Sequence, residues 1–142
     1  MSLRAQWEAA YMATTYEIDR PQGAPWKLRV GEHDAAFSHW LATRGVHRWA
    51  MLTAVNPRSL SLSSQENESR MTELTDHLER SGLRWRKGRS YGDDGLWEME
   101  PMAWLPDSPQ GTASRFCQRW EQVAYLYGQR ETAPKLFFLD EL

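Results

Sequence analysis

Residues 49–54 form a nearly continuous apolar segment in the middle of the chain. A run of this kind is typical of a β-strand that is covered on both faces. Asn56-Pro57 and a serine-rich loop follow it, and then Met71, Leu74 and Leu78 recur at helical spacing. A covered strand followed by an amphipathic helix predicts a sheet that packs against helices.

The remaining segments complete an α/β pattern. The predicted order is helix, two strands, helix, strand, helix, two strands, helix, two strands. Ser63 with Glu66 matches a capping box at the start of the third helix, and Ser108-Pro109 marks the start of the fourth. The 142 residues predict a single domain over residues 1–142. We expect an α/β (α+β) fold, a two-layer sandwich with a mixed sheet of about six to seven strands and about four helices.

The composition limits the classes of partner. Hydrophobic residues make up 41% of the chain and charged residues 25%, which is typical of a globular domain. The net charge is −2, so no nucleic-acid partner is expected. No apolar run approaches the ~18–20 residues that span a bilayer, and the single cysteine, Cys117, excludes an internal disulfide. We expect a cytoplasmic monomer or homodimer that makes no membrane contact.

The loop after the apolar strand is the strongest candidate for a binding site. Asn56 follows the end of the strand, where ligands of α/β proteins bind, and Asn67 lies on the buried face of the next helix. Arg58 and Arg70 are suited to a carboxylate or phosphate. The structural interpretation is the stronger one, because Glu66 fits a cap, Glu66 and Arg70 are spaced to pair on one helix, and the asparagines are suited to fixing a long loop.

A second candidate lies in the segment 93–101. Glu98 and Glu100 are two residues apart, so on a strand their carboxylates project from one face and are placed to share a proton or a cation. The alternative is a solvated strand face. Asp93 and Asp94, followed by Gly95, match a tight turn instead.

A third candidate is the basic segment 80–89, which carries five basic residues around Trp85. Such a strand is able to follow single-stranded nucleic acid. We expect the acidic residues 93–100 on its hairpin partner to neutralise it through cross-strand ion pairs. Cys117 lies on a predicted core stripe, the four histidines show no metal-ligand spacing, and the sequence identifies no cofactor and no metal site.

Several of these segments resemble one known family. They are Leu52-Thr53-Ala54-Val55-Asn56-Pro57-Arg58-Ser59, Glu66-Asn67 with Arg70 and Leu74, residues 11–16, residues 97–104 with Glu100-Pro101, and residues 120–124. Together they resemble the bacterial family catalogued as domain of unknown function 3293. Val55 and Met102 depart from its usual residues. The family carries no assigned activity, so the resemblance implies positions alone: Asn56, Asn67, Arg70, Glu100 and Gln122 as one group.

The leading hypothesis is a small-ligand binding or regulatory domain for an anionic metabolite or nucleotide. Asn56 and Gln122 would supply amide hydrogen bonds, Arg70 would meet an anionic group, and Glu100 would accept a hydrogen bond from the ligand. One alternative is a protein-interaction module, which predicts a large exposed apolar patch and no polar pocket. The other is an enzyme that uses Glu100 or Glu98 as a general base, which requires a carboxyl with a raised pKa in a cleft.

Overall fold

The structure is a computed structural model that describes residues 1–95 and 98–142. Its helices and strands follow the predicted order, and the predicted α/β class is confirmed. Leu96 and Trp97, with which the predicted strand 96–105 begins, lie outside the described residues. The elements are α1 (Leu3–Met12), β1 (Thr14–Ile18), β2 (Trp26–Leu28), α2 (Ala35–Thr43), β3 (Arg48–Leu52), α3 (Ser64–Arg80), β4 (Arg86–Gly92), β5 (Glu100–Pro106), α4 (Gln110–Arg119), β6 (Ala124–Gln129) and β7 (Lys135–Phe138), with short 3₁₀ turns at Pro57–Ser59 and Leu139–Glu141.

The strands form one seven-stranded sheet in the order β2-β1-β4-β5-β3-β6-β7. Every pairing between neighbours in this sheet of described residues is antiparallel, which differs from the expected mixed sheet. The reason lies in the crossovers. α3 connects β3 to β4 with β5 between them, and α4 connects β5 to β6 with β3 between them, so the parallel strands are never adjacent. This interleaving is the β-α-β-β-α-β pattern called ferredoxin-like.

Helices cover both faces of the sheet, so the fold has three layers where two were expected. Trp49 and Met51 of β3 pack on the face that α1 and α2 cover, while Ala50 and Leu52 pack on the face that α3 and α4 cover. The apolar strand is therefore buried on both sides, as its composition predicts. The third layer arises because α1 and α2 cover the face that the crossover helices leave bare.

The predicted start of α3 is confirmed, while α4 begins at Gln110 with Pro109 as its N-cap, where the sequence favours Ser108 as the cap and Pro109 as the first helical residue. The capping box is present at the start of α3, where the Ser63 side chain accepts from the Glu66 N–H and the Glu66 carboxylate accepts from the Ser63 N–H. Asp34 caps α2 by accepting from Phe37. In the part of the chain that the structure describes, no helix has the length and apolar character that crossing a bilayer requires.

Two arginines of the basic segment 80–89 form ion pairs, but with different partners from those expected. Arg89 binds Glu17 at 2.8 Å and Asp19 at 2.7 Å, both from β1 or the residue after it. The sheet register explains this, because Glu17 stands opposite Arg89 on one side of β4, while Pro101 of the hairpin partner stands opposite it on the other. Arg84 binds Asp107 at 2.9 Å.

Candidate functional site

A polar cavity of about 340 Å³ lies at the end of the sheet where β4 finishes and β5 begins. The sheet register places Ser90 of β4 opposite Glu100 of β5, and the same register places Tyr16 of β1 on the other side of Ser90. α1 forms one wall with Trp7 and Tyr11, and the loop after β3 forms another. The other described residues that line it are Ala10, Thr14, Val55, Asn56, Ser59, Ser61, Leu62, Asn67, Tyr91, Gly92, Glu98 and Gln122.

The loop after β3 has an unusual backbone. Asn56, Arg58 and Ser59 have φ angles of 47°, 55° and 59°, in the left-handed region. Such angles are uncommon for residues other than glycine and persist only where surrounding contacts hold them. Three left-handed residues within four positions therefore mark a loop that the rest of the fold holds in place.

Side-chain hydrogen bonds of Asn56 supply much of that restraint. Its Oδ1 accepts from the Leu62 N–H at 3.1 Å and from Asn67 Nδ2 at 2.8 Å. Its own backbone N–H donates to Asn67 Oδ1 at 2.9 Å. Its Nδ2 donates to Glu100 Oε2 at 2.7 Å. Asn56 thus joins the loop, the first turns of α3 and the start of β5 in one cluster.

Glu100 is the half-buried carboxylate of the cavity. Burial raises the pKa of Glu100, and the hydrogen bond from Asn56 opposes that shift only in part. Burial also raises the pKa of Tyr11 to about 12, against a hydrogen bond with Ser59, and the Glu100 charge raises it further. The pKa of Tyr16 is raised by the same causes, burial first. The phenols therefore stay neutral at neutral pH, and Glu100 keeps its proton to a higher pH than an exposed glutamate does.

Gln122 and Arg70 connect the loop after β3 to the end of α4 through hydrogen bonds to backbone carbonyls. The buried Gln122 donates from Nε2 to the Val55 carbonyl at 3.1 Å and to the Trp120 carbonyl at 3.0 Å. Arg70 donates to the Ala54 carbonyl at 2.6 Å and to the Trp120 carbonyl at 2.8 Å. Arg70, which the sequence suggests for an anionic group, uses its guanidinium for these backbone oxygens and is not among the described residues that line the cavity.

Two further predicted site residues lie away from the expected positions. Arg58 is exposed, and its guanidinium pairs with Glu121 at 2.8 Å. Glu98 contacts the cavity but is exposed and precedes β5, so it does not share a strand face with Glu100 as expected. Asp93 and Asp94 form the expected turn. Asn56, Asn67, Glu100 and Gln122 are the predicted residues that the fold brings together.

The sequence alone does not identify the contributions of α1 and β4 to the cavity. Tyr11 belongs to the segment 11–16 that carries the family resemblance, so that segment held a signal for it. The sequence contains no such signal for Trp7, Ser90 and Tyr91, because their place at the cavity depends on helix docking and strand register. Among the described residues, no group of three or more His, Cys, Asp or Glu side chains is arranged to hold a metal ion.

A second cavity, of about 430 Å³, lies on the α3 side of the same residues. Met71 of α3, Trp85 and Met99 give it a more apolar lining, with Lys87 and Glu68 beside them. The two cavities share five residues: Val55, Asn56, Asn67, Glu98 and Glu100. The asparagine and glutamate cluster is therefore a wall between two spaces.

Comparison with known proteins places the chain in one family. Neither the curated proteins nor the solved structures gave a match. The family model described as "Protein of unknown function (DUF3293)" matches residues 52–125, which are more than half of the chain. That range contains Asn56, Asn67, Glu100 and Gln122, and it confirms the resemblance seen in the sequence. The chain therefore belongs to the family described as protein of unknown function DUF3293.

Proposed function

We propose that the protein is a small-molecule-binding domain whose ligand occupies the cavity between α1, the loop after β3 and the β4–β5 end. The observation that supports this proposal is the hydrogen bonding of the Glu100 carboxylate. Asn56 holds its Oε2 at 2.7 Å, while Oε1 has no hydrogen-bond partner within residues 1–95 and 98–142. A half-buried carboxylate oxygen in a polar cavity is an acceptor that a ligand can satisfy.

The charges around the cavity favour a neutral or cationic ligand over the anionic ligand that the sequence predicted. Glu98 and Glu100 are the charged side chains among its described lining residues. Arg58 and Arg70 are engaged elsewhere, with Glu121 and with backbone carbonyls. An anion in this cavity would meet like charge without a compensating cation.

A thermal-shift screen of neutral, cationic and anionic metabolites tests the proposal. A ligand at a hundred times its Kd adds about 2.7 kcal/mol to stability, which corresponds to a shift on the order of 5–10 °C for a chain of this size. We expect a hit that weakens in Glu100→Gln and Ser90→Ala. The matched control is Glu73→Gln, an exposed carboxylate of α3. A screen without hits, or hits that are unchanged in both cavity variants, would overturn the proposal.

An enzyme that uses Glu100 as a general base is a second candidate, and the raised pKa of that carboxyl favours it. Glu98 is exposed and fits the role less well. The two functions differ in one measurement. Incubating a screened ligand with the protein and following it by mass spectrometry shows conversion for an enzyme, and no conversion for a binding domain.

The protein-interaction alternative required a large exposed apolar patch and no polar pocket. The polar cavity speaks against it, and so does the distribution of the large exposed apolar side chains over separate elements. Those side chains are Met1, Met12, Leu60, Leu83, Met99 and Leu142. A cytoplasmic location, a monomeric or homodimeric state and the expectation of no nucleic-acid partner stay predictions.

A further inference from the structure

We infer that the ligand of this cavity is an organic amine whose protonated nitrogen faces Glu100. The inference rests on the proposed function and names the ligand class that the cavity selects. Three properties of the described lining residues carry it: their charge, their aromatic rings and their hydrogen-bond acceptors.

The charge of the cavity is negative and uncompensated from within. Glu98 and Glu100 both line it, and no lysine, arginine or histidine is among its described lining residues. Lys87 lies on the other side of Glu98 and Glu100, in the second cavity. Two neighbouring arginines have other partners. Arg29 binds Asp93 at 2.6 Å and Glu32 at 3.3 Å, while Arg70 binds two carbonyls. A half-buried carboxylate without a cation is the place where an ammonium group gains most.

Aromatic side chains form the part of the wall that faces the sheet end. These rings are those of Trp7 and Tyr11, both from α1. The faces of such rings carry negative potential and attract ammonium groups, which is the basis of amine recognition by aromatic cages. The same rings offer apolar area to the carbon skeleton of the ligand.

The acceptors match the donors of an ammonium group. A primary ammonium has three N–H donors and no acceptor. Glu100 Oε1 is one acceptor, and Ser90, which also lines the cavity, carries a hydroxyl oxygen. Ser90 is directly opposite Glu100 in the sheet, so one ligand nitrogen is able to reach both. A cavity of about 340 Å³ is at the small end of ligand sites, which suits an amine of modest size.

Calorimetry with matched probes at pH 7 tests the inference. The probes are 2-phenylethylamine and cyclohexylamine, their N-acetyl derivatives, and 3-phenylpropionate with cyclohexanecarboxylate. We expect the amines to bind and the N-acetyl compounds to bind at least ~10-fold more weakly. The carboxylates should not bind. Glu100→Gln should weaken amine binding by ~10-fold or more, and Glu73→Gln should leave it unchanged.

The pH dependence of amine affinity is a second readout and needs the wild-type protein alone. The titratable groups around Glu100 are Tyr11, Tyr16 and Glu98 on the side of this cavity, and Lys87 and Glu68 on the side of the second cavity. Asn56 and Ser90 beside it are uncharged. The tyrosines stay neutral below about pH 9, since the pKa of each is raised. An ammonium group favours the ionised form of Glu100, so affinity should rise as the pH increases through the raised pKa of Glu100, while the amine itself stays protonated.

The outcomes separate the inference from the proposed function. N-acetyl compounds that bind as well as the amines, and weaken in Ser90→Ala, overturn the amine inference and keep a binding site. Failure of all six probes, with hits from the metabolite screen that Glu100→Gln weakens, does the same. Failure of the probes and of the screen overturns both. Amine affinity that is flat with pH also contradicts the inference.

Discussion

Asn56 and Asn67 bind each other through two hydrogen bonds of opposite direction. The Asn56 N–H donates to Asn67 Oδ1 at 2.9 Å, and Asn67 Nδ2 donates to Asn56 Oδ1 at 2.8 Å. This pair fixes the loop after β3 to the first turns of α3. The backbone N–H of Asn56 thereby has an acceptor inside the protein. The side-chain amide of Asn56 is directed at Glu100.

Substitution of Asn56 should separate the two parts of this restraint. We expect Asn56→Ala to lower the free energy of unfolding by about 2–4 kcal/mol, because two donors lose their acceptor and alanine is strained at a φ of 47°. Asn56→Gly should recover about 1 kcal/mol of this loss, since glycine adopts that φ freely. Urea unfolding followed by tryptophan fluorescence measures both. Equal losses in the two variants would show that the backbone contributes nothing.

Arg70 should matter for stability far more than Arg58. Arg70→Ala leaves the Ala54 carbonyl without its side-chain donor and removes one from the Trp120 carbonyl, so we expect a loss of about 2–3 kcal/mol. Arg58 pairs with Glu121 at the surface with 71% of its side chain exposed, and Arg58→Ala should change stability by no more than about 0.5 kcal/mol. Urea unfolding of both variants at one salt concentration tests this. A larger loss for Arg58→Ala would reverse the assignment of roles.

Glu100 should reduce stability at neutral pH. Its folded pKa is raised by burial, so the folded state holds the proton more tightly than the unfolded state, whose pKa is about 4.3. Stability from this group is present below the unfolded pKa and is lost as pH rises through the folded pKa. We expect Glu100→Gln to be more stable than the wild type at pH 7, by about 1 kcal/mol.

The difference should shrink towards pH 4, where both the carboxyl and the amide are neutral. Denaturant unfolding of the wild type, Glu100→Gln and Glu73→Gln at the two pH values measures it. The Glu73 variant corrects for the loss of one negative charge. A Glu100→Gln effect of the same size at pH 4 and pH 7 would contradict the raised pKa.

Cys117 should be unreactive while the protein is folded. It is about 1% exposed, burial raises its pKa to about 12, and its Sγ donates to the Gln122 carbonyl at 3.4 Å. We expect Ellman's reagent at pH 8 to label the native protein at least ~100-fold more slowly than the protein in denaturant. Similar rates in the two conditions would place the thiol at the surface.

The sequence sufficed to predict the parts of the site that depend on spacing along one element. The sequence spacing from Asn67 to Met71 and Leu74 predicts that Asn67 lies on the buried side of α3, and it lies there. The position of Asn56 after a buried strand likewise predicted its place at the sheet end. The family resemblance implies Glu100 and Gln122 as members of the site, and both line the cavity.

The rest depended on contacts between distant segments. Arg70 has the chemistry of an anion ligand, and only the approach of the Ala54 and Trp120 carbonyls decides that it binds backbone. The place of Ser90 beside Glu100 follows from the register of β4 and β5, which a one-residue slip would reverse. The strand order was equally hidden, because helical crossovers fit both a mixed sheet and the interleaved antiparallel one.

The central position of β3 has a consequence for how the protein folds. Trp49 pairs with Pro106 on one side and with Gly128 on the other, so both partners of this strand come much later in the chain. During synthesis β3 leaves the ribosome before its partners β5 and β6. Its apolar side chains therefore stay exposed until those two strands have followed. Pairing over such separations favours folding in milliseconds to seconds. Exposed apolar side chains on an unpaired strand favour aggregation, so the nascent chain is more prone to it than the folded protein.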